Sequence, residues 1–309
     1  RDCAALRLDD PIATLSPQGC FEWQLPTAIN RQAYSGTMIN VETKRVSMCV
    51  TPNHRVLGKF ANTGGVRGQN RPWSVKPAED AARYSHVWIR NHSSWIGEHQ
   101  QWFTLPGAVR RSALRLPMYQ WLQFMGWYLS EGCIHQHGAV MIGQNDNCNR
   151  EDIIQLLIDM GFKPTLWQGN AAVIVHDARL VQYCAQFGKS HDKFIPTYIK
   201  NLPPEQLLIF LQTYILGDGT VRSTGGFDIA TASEQMRDDL LEVGQKCGFG
   251  VSQVTTAWGW NVHLRRPHAP MITKDQWQTI QYNGIVWCPS TPNGIVFVRR
   301  RGTCYWSGN

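Results

Sequence analysis

Residues 205–219 read EQLLIFLQTYILGDG, and this stretch decides the fold. Leu207, Leu208, Phe210, Leu211, Tyr214 and Ile215 recur at helical spacing, so one face of the segment is expected to be buried. The run stops at Gly217-Asp218-Gly219. That puts a carboxylate at the C-terminal end of a packed helix, where the helix dipole disfavours negative charge unless a cation compensates it. Residues 119–132, YQWLQFMGWYLSEG, follow the same plan and end on Glu131. Glu131 and Asp218 are 87 residues apart, and the same offset relates Arg150-Glu151-Asp152 to Arg237-Asp238-Asp239 and Gly161-Phe162 to Gly248-Phe249. It also relates Ile142 to Ile229, within short apolar runs at 139–142 and 227–231 that read as strands. Each copy therefore reads helix, acid, strands, helix, and the two form a pseudo-two-fold pair.

These residues resemble the LAGLIDADG homing endonucleases: residues 124–132 (FMGWYLSEG) match the first motif and 211–219 (LQTYILGDG) the second, with Thr213 where the first copy has Gly126. Lys193-Phe194-Ile195-Pro196 looks like the segment that precedes the second helix in intein-borne members. The resemblance implies Mg²⁺-dependent cleavage of a double-stranded DNA target, with Glu131 and Asp218 as catalytic metal ligands, one for each strand. Lys193 would be an electrostatic stabiliser or proton shuttle beside the scissile phosphates. Hard oxygen ligands favour Mg²⁺ over zinc.

With 309 residues and 43% apolar content the chain can bury a sizeable core, and its length allows two domains. No run is long and apolar enough for a membrane span, and no secretory leader is expected from the Arg-Asp-Cys start. Nine cysteines without C-x-x-C spacing argue against a disulfide framework and a structural zinc site, and fit a cytoplasmic setting. A formal charge of +7 points to an anionic partner. Most of the thirteen tryptophans read as packing residues.

The flanking parts are of another kind. Residues 4–51 are all-β in pattern, with short runs at 11–15, 21–23 and 37–42 between turns, and 62–72 read as a loop. Thr51 and His54 form a T-x-x-H element that resembles block B of inteins, in the Hint fold. Residues 284–309, GIVWCPSTPNGIVFVRRRGTCYWSGN, look like blocks F and G. The resemblance implies catalytic roles in splicing for Thr51, His54, Cys288 and Asn309. The Asn309 amide nitrogen would attack its own carbonyl, forming a succinimide and releasing the downstream chain. Cys288 stands where the family usually has Asp, Gly308 where it usually has His, and nothing like the usual Cys-x-x-Gly-Asp-Thr block stands at Arg1. Residues 8–23 look like the second strand region of such a domain, and Cys3 is a poor substitute nucleophile because no Gly-Asp-Thr follows it.

The expected fold class is therefore multi-domain. An all-β, horseshoe-like Hint splicing domain (1–112 and 283–309) is interrupted by an α/β endonuclease domain (113–282) with two αββα repeats, about 117–200 and 204–270. The missing first block makes the chain resemble the C-terminal part of a split intein. Its expected partners are a short N-terminal intein fragment, the flanking exteins and DNA, and it is expected to be a monomer. Two alternatives stand beside this one: an endonuclease whose Hint remnant no longer splices, and a degenerate DNA-binding protein that has lost both activities.

Overall fold

The computed structural model describes residues 3–62, 66–167 and 171–308. Asn309 lies outside them, as does the side chain of Cys3. The chain divides into two compact units: Arg1–Trp95 with Gly248–Gln253 and Arg265–Asn309, and Ile96–Cys247 with Val254–Leu264.

The first unit opens with a single 3₁₀ turn at Cys3–Ala5, and no strand begins before Ile12 among the described residues. β1 (Ile12–Leu15) pairs with β2 (Phe21–Gln24). Then come β3 (Ala28–Glu42), β4 (Ser47–Val50), β5 (Arg55–Ala61), α1 (Val66–Gln69), β6 (Ser74–Pro77), α2 (Ala78–Ala81) and β7 (His86–Ile89). The region is nearly all β, but the expected loop at 62–72 contains the short helix α1.

The second unit begins with the hairpin of β8 (Trp102–Leu105) and β9 (Leu114–Pro117). Its first repeat is α3 (Met118–Glu131), β10 (Gly132–His135), β11 (Ala139–Gly143), α4 (Asn147–Asp159), β12 (Pro164–Trp167) and β13 (Ala172–Val175). After α5 (Ala178–Cys184) and α6 (Thr197–Lys200), the second repeat is α7 (Pro204–Asp218), β14 (Gly219–Val221), β15 (Gly226–Thr231), α8 (Glu234–Lys246), β16 (Gly250–Thr256), whose residues 250–253 belong to the first unit, and β17 (Gly259–Arg265). The unit is thus mixed α/β, and each copy is αββαββ. The second hairpin extends each copy past the expected αββα, and its strands carry little sequence signal because β12 and β13 are only four residues each and β12 opens on a proline. The strands lie in the order β10-β11-β13-β12 in one copy and β14-β15-β17-β16 in the other.

Local chemistry repeats with the topology. Asp146 caps α4 by accepting from the Asn149 N–H (2.9 Å), and Ser233, 87 residues on, caps α8 by accepting from Met236 N–H (3.1 Å). Both helices end at a glycine with φ +82°, Gly161 and Gly248. α3 and α7 pack on each other through Gly126, where an added Cβ would meet Thr213 Cβ at 2.7 Å and the Phe210 and Tyr214 backbone at 2.9 Å. The Gly126–Thr213 difference is therefore accommodated: one glycine leaves room for the threonine opposite. Gly126→Ala should lower stability although alanine favours helices by roughly 1 kcal/mol over glycine. Two of the three clashing atoms belong to backbone that cannot step aside, and overpacking of this kind costs about 1–3 kcal/mol. A thermal melt reads the sign directly, and an unchanged or raised Tm would disprove the close approach.

The chain completes the first unit with β18 (Met271–Thr273), β19 (Gln278–Ser290), β20 (Ile295–Arg300) and β21 (Thr303–Gly308). β18, β7, β5 and β6 form one sheet. β3 and β19 pair over thirteen residues, from Ala28↔Ser290 to Asn40↔Gln278, as a long antiparallel ribbon, with β4 beside β3 at its far end. β20 and β21 form the last hairpin, which buries Trp306 against Phe21, Leu57 and Ile295. Among the described residues the cysteines are free thiols, and no helix is long and apolar enough to cross a membrane.

Candidate functional site

The alternation of apolar residues in α3 and α7 forces their shared face inward, and both helices end on the acid because the next residue, Gly132 or Gly219, turns into extended backbone. The acids therefore arrive together. Gly217 sits so near the other helix end that a Cβ on it would lie 2.9 Å from Glu131 Cγ and 2.4 Å from Ser130 Oγ. Burial pushes the Asp218 carboxyl up to about 6, and the charge of Glu131 pushes the same way. Glu131 is also raised by burial, opposed by Lys193.

Lys193 is the cation near them, bonded to the end of α3. It is 7% exposed, and its Nζ donates to the carbonyls of Tyr128 (3.1 Å) and Ser130 (3.2 Å) at the end of α3. Burial lowers its pKa, while Asp218 and then Glu131 pull it back up. Its backbone is held by the second repeat: Ser233 Oγ donates to the Lys193 carbonyl (2.6 Å), and Asp239 accepts from the Ile195 N–H (2.8 Å) and pairs with Lys200 (2.7 Å). Ser233 and Asp239, which lie in the repeated segment, support Lys193 through contacts that no local sequence pattern marks. Beside Glu131 a cavity of ≈ 510 Å³ is lined by that acid, Cys133, Lys189, Ser190 and Lys193 among others.

The donor set suits a hard divalent cation: two neighbouring carboxylates with one lysine to offset them, and an Asp218 carboxyl raised chiefly by burial and further by the charge of Glu131. No group of three or more His, Cys, Asp or Glu side chains stands ready to hold a metal among the described residues, so Glu131 and Asp218 would supply the protein's side-chain ligands.

A second cluster lies within the first unit. Thr51 opens a turn in which its carbonyl accepts from the His54 N–H (3.0 Å), and the His54 and Pro52 carbonyls accept from the N–H groups of Ala78 and Glu79 at the start of α2 (2.8 and 2.9 Å). The His54 Nε2 lies 2.7 Å from Ser307 Oγ. Burial, helped by Arg55, drives the imidazole down to about 4, so it is neutral at pH 7. A Cβ on Gly308 would meet Arg55 Cβ at 2.4 Å. The half-buried Cys288, opposite Asn30 on the ribbon, has its thiol raised by burial and pulled back by the charge of Arg55. His54, Cys288 and the last described residues thus gather around Arg55. Ser307 and Arg55 were not picked out from the sequence, and only their adjacency to Asn309 and His54 marks them.

No family model matches the chain. It is 20% identical, over 96% of its length, to a protein of Stigeoclonium helveticum named DNA-directed RNA polymerase subunit beta C-terminal section. It is 24% identical, over 70% of its length, to an ATP-dependent Clp protease proteolytic subunit of Chlamydomonas moewusii. The chain spans 34% and 23% of these relatives. Among solved structures, 48% of it is similar to I-DmoI in complex with DNA and Mn, with TM-score 0.37, 10% identity and 89% of that chain covered. The N-terminal LAGLIDADG domain of DUF199/WhiA is similar over the same share, with TM-score 0.35, 7% identity and 75% of that chain covered.

Proposed function

We propose that the second unit is a site-specific, divalent-metal-dependent DNA endonuclease and that it rides in a protein-splicing element formed by the first unit. The observation that carries the nuclease reading is the convergence of Glu131, Asp218 and Lys193 where two packed helices of equivalent repeats end. Glu131 and Asp218 would hold Mg²⁺, which when bound neutralises charge on the phosphodiester and makes water a better nucleophile. The residues' own part is to fix the pair of carboxylates in place and to keep water out from beneath them. Lys193, anchored to the end of α3, sets a positive charge beside the acids where negative charge develops in phosphodiester attack.

The splicing reading rests on the T-x-x-H turn at His54, its bond to Ser307 and the sequence likeness at 284–309, which includes Asn309. The neutral His54 ring has one nitrogen that donates a hydrogen bond and one that accepts, with Nε2 set against Ser307 Oγ. The two relatives support an embedded element: their names share no activity, yet this chain matches a third of one and about a quarter of the other. One sequence lodged in unrelated hosts would match in that way. Short exposed stretches of the β3–β19 ribbon offer backbone to which an N-terminal fragment would add.

The test has two arms. Mixing the full chain, extended by a few residues past Asn309, with a synthetic N-terminal fragment should give a ligated product on a gel, and His54→Ala should abolish it. Incubating the chain with Mg²⁺ and DNA carrying an uninterrupted host site should give a double-strand break that Glu131→Gln removes. Cleavage without ligation would leave the endonuclease with a silent splicing remnant. Salt-sensitive DNA binding with neither activity would leave a degenerate DNA-binding protein.

A further inference from the structure

The 87-residue offset allows the two sheets to be compared position by position, and they agree in register but not in chemistry. Gly132 pairs with Ile142 as Gly219 pairs with Ile229, and Cys133 with Met141 as Thr220 with Asp228. Ile142 and Ile229 are fully buried, so they point into the packed side of each sheet. Met141 and Asp228, one residue earlier, therefore belong to the opposite face. β10 and β14 start immediately after Glu131 and Asp218, so this face continues from the acids.

On the first sheet that face presents Cys133, His135, Met141 and Trp167, with the His135 and Trp167 rings 5.0 Å apart. None of its four strands carries a Lys, Arg, Asp or Glu. On the second sheet the position equivalent to His135 is Arg222 and that equivalent to Met141 is Asp228. Asp228 pairs with Arg222 through Nε and Nη2 and accepts from His263 Nδ1 at 2.6 Å. All three side chains are partly exposed. Asp228 and His263 are mostly covered while the Arg222 head is about half exposed, so the network holds Arg222 at the surface with N–H groups to spare.

We infer that the two repeats read chemically different half-sites: the first takes thymine methyls against an apolar face, and the second takes a guanine through Arg222, which Asp228 holds in position. The inference rests on the DNA-cleavage reading above. A major groove admits a β-ribbon, where the thymine methyl is an apolar feature and guanine O6 and N7 accept from an arginine fork. With Nε and Nη2 bonded to Asp228, Arg222 still has the two N–H groups of Nη1 and a free hydrogen on Nη2 to give. His263 bonds the carboxylate through a proton on Nδ1, which leaves Nε2 facing away from Asp228 as a second polar atom for a base edge.

The test uses the full chain with Asp218→Asn, so that it binds without cutting, to select duplexes from a randomised pool. The selected duplex is then remade one half at a time with deoxyuridine for thymine, or 7-deazaguanine for guanine. Deoxyuridine should weaken binding in one half only, by about 3-fold or more for each methyl in contact, and Met141→Ala should remove that sensitivity. The 7-deazaguanine should weaken binding in the other half by roughly 10- to 100-fold at one position. Arg222→Ala should remove this second sensitivity while leaving the first, which also shows that the variant is folded. Arg222→Lys should not restore it, since an ammonium lacks the fork. If both halves respond alike to both analogues, or Arg222→Ala weakens every sequence evenly, the half-site assignment is overturned and the cleavage reading stands. If no sequence is enriched even at low salt, both fall.

Discussion

Replacing Asp218 with Asn is expected to abolish DNA cleavage and, in metal-free buffer at neutral pH, to make the protein more stable. The first effect, on the order of a thousandfold or more in rate, follows from removing one of the two carboxylates that would hold the cation. The second follows from burial and the neighbouring Glu131, which hold the Asp218 carboxyl at about 6 against an ordinary 3.8. The folded chain keeps this proton longer than the unfolded chain. Its contribution to stability is therefore fully present below about pH 3.8, shrinks as pH rises and is lost once pH passes about 6. A shift of that size corresponds to roughly 2–3 kcal/mol at pH 7. Asparagine stays neutral and escapes that loss, so the gap in Tm between variant and wild type should open between pH 4 and 7. Taking the difference also cancels His54 and His92, whose depressed pKa values give the opposite slope in the same range. Added Mg²⁺ should close the gap by stabilising only the wild type. A variant that melts lower than wild type in metal-free buffer at pH 7 would show that Asp218 is already satisfied within the fold.

Lys193→Met carries the second large effect. The methionine fills much of the same volume but leaves the Tyr128 and Ser130 carbonyls without their donor and two acids without their cation. Breaking one side of a buried charge arrangement typically costs about 3–5 kcal/mol, which urea denaturation would register as a lower midpoint at an unchanged slope. Cleavage should fall as well, and unequally for the two DNA strands. The position 87 residues beyond Lys193 is Ile280, which lies in the other unit, so the second repeat supplies no matching lysine. Nicked circles should therefore accumulate when the variant digests a supercoiled plasmid carrying the target site. Equal loss on both strands, with no nicked species, would remove the asymmetry from the account.

Much of this arrangement is legible in the sequence because helical periodicity and the acid at each helix end are local signals. The offset between copies adds a long-range one: it pairs Glu131 with Asp218 and also matches the caps Asp146 and Ser233, which differ in identity but do the same work. The second hairpins were less visible. Four-residue strands such as β12 and β13 carry too little alternation to be told from loop, and Ala172–Val175 is buried on both faces and has no polar positions to mark a period. Lys193 illustrates a different limit. Its placement depends on Ser233 and Asp239, forty and forty-six residues away, and no local pattern announces such a bond. The His54–Ser307 contact, spanning most of the chain, was invisible for the same reason.

The agreement of strand order, pairing register, caps and positive-φ glycines at one constant offset has a historical consequence. Two segments that matched only in hydrophobic pattern could have converged, but a shared ladder of pairings displaced by a fixed number of residues is the mark of tandem duplication. In a single copy the buried face of α3 would lie open, and in this chain the matching face of α7 covers it. Fusion freed the halves to diverge. Thr213 now stands opposite Gly126, and Lys193, bonded to the end of α3, has no counterpart in the second half, so the two halves share a frame but no longer a chemistry.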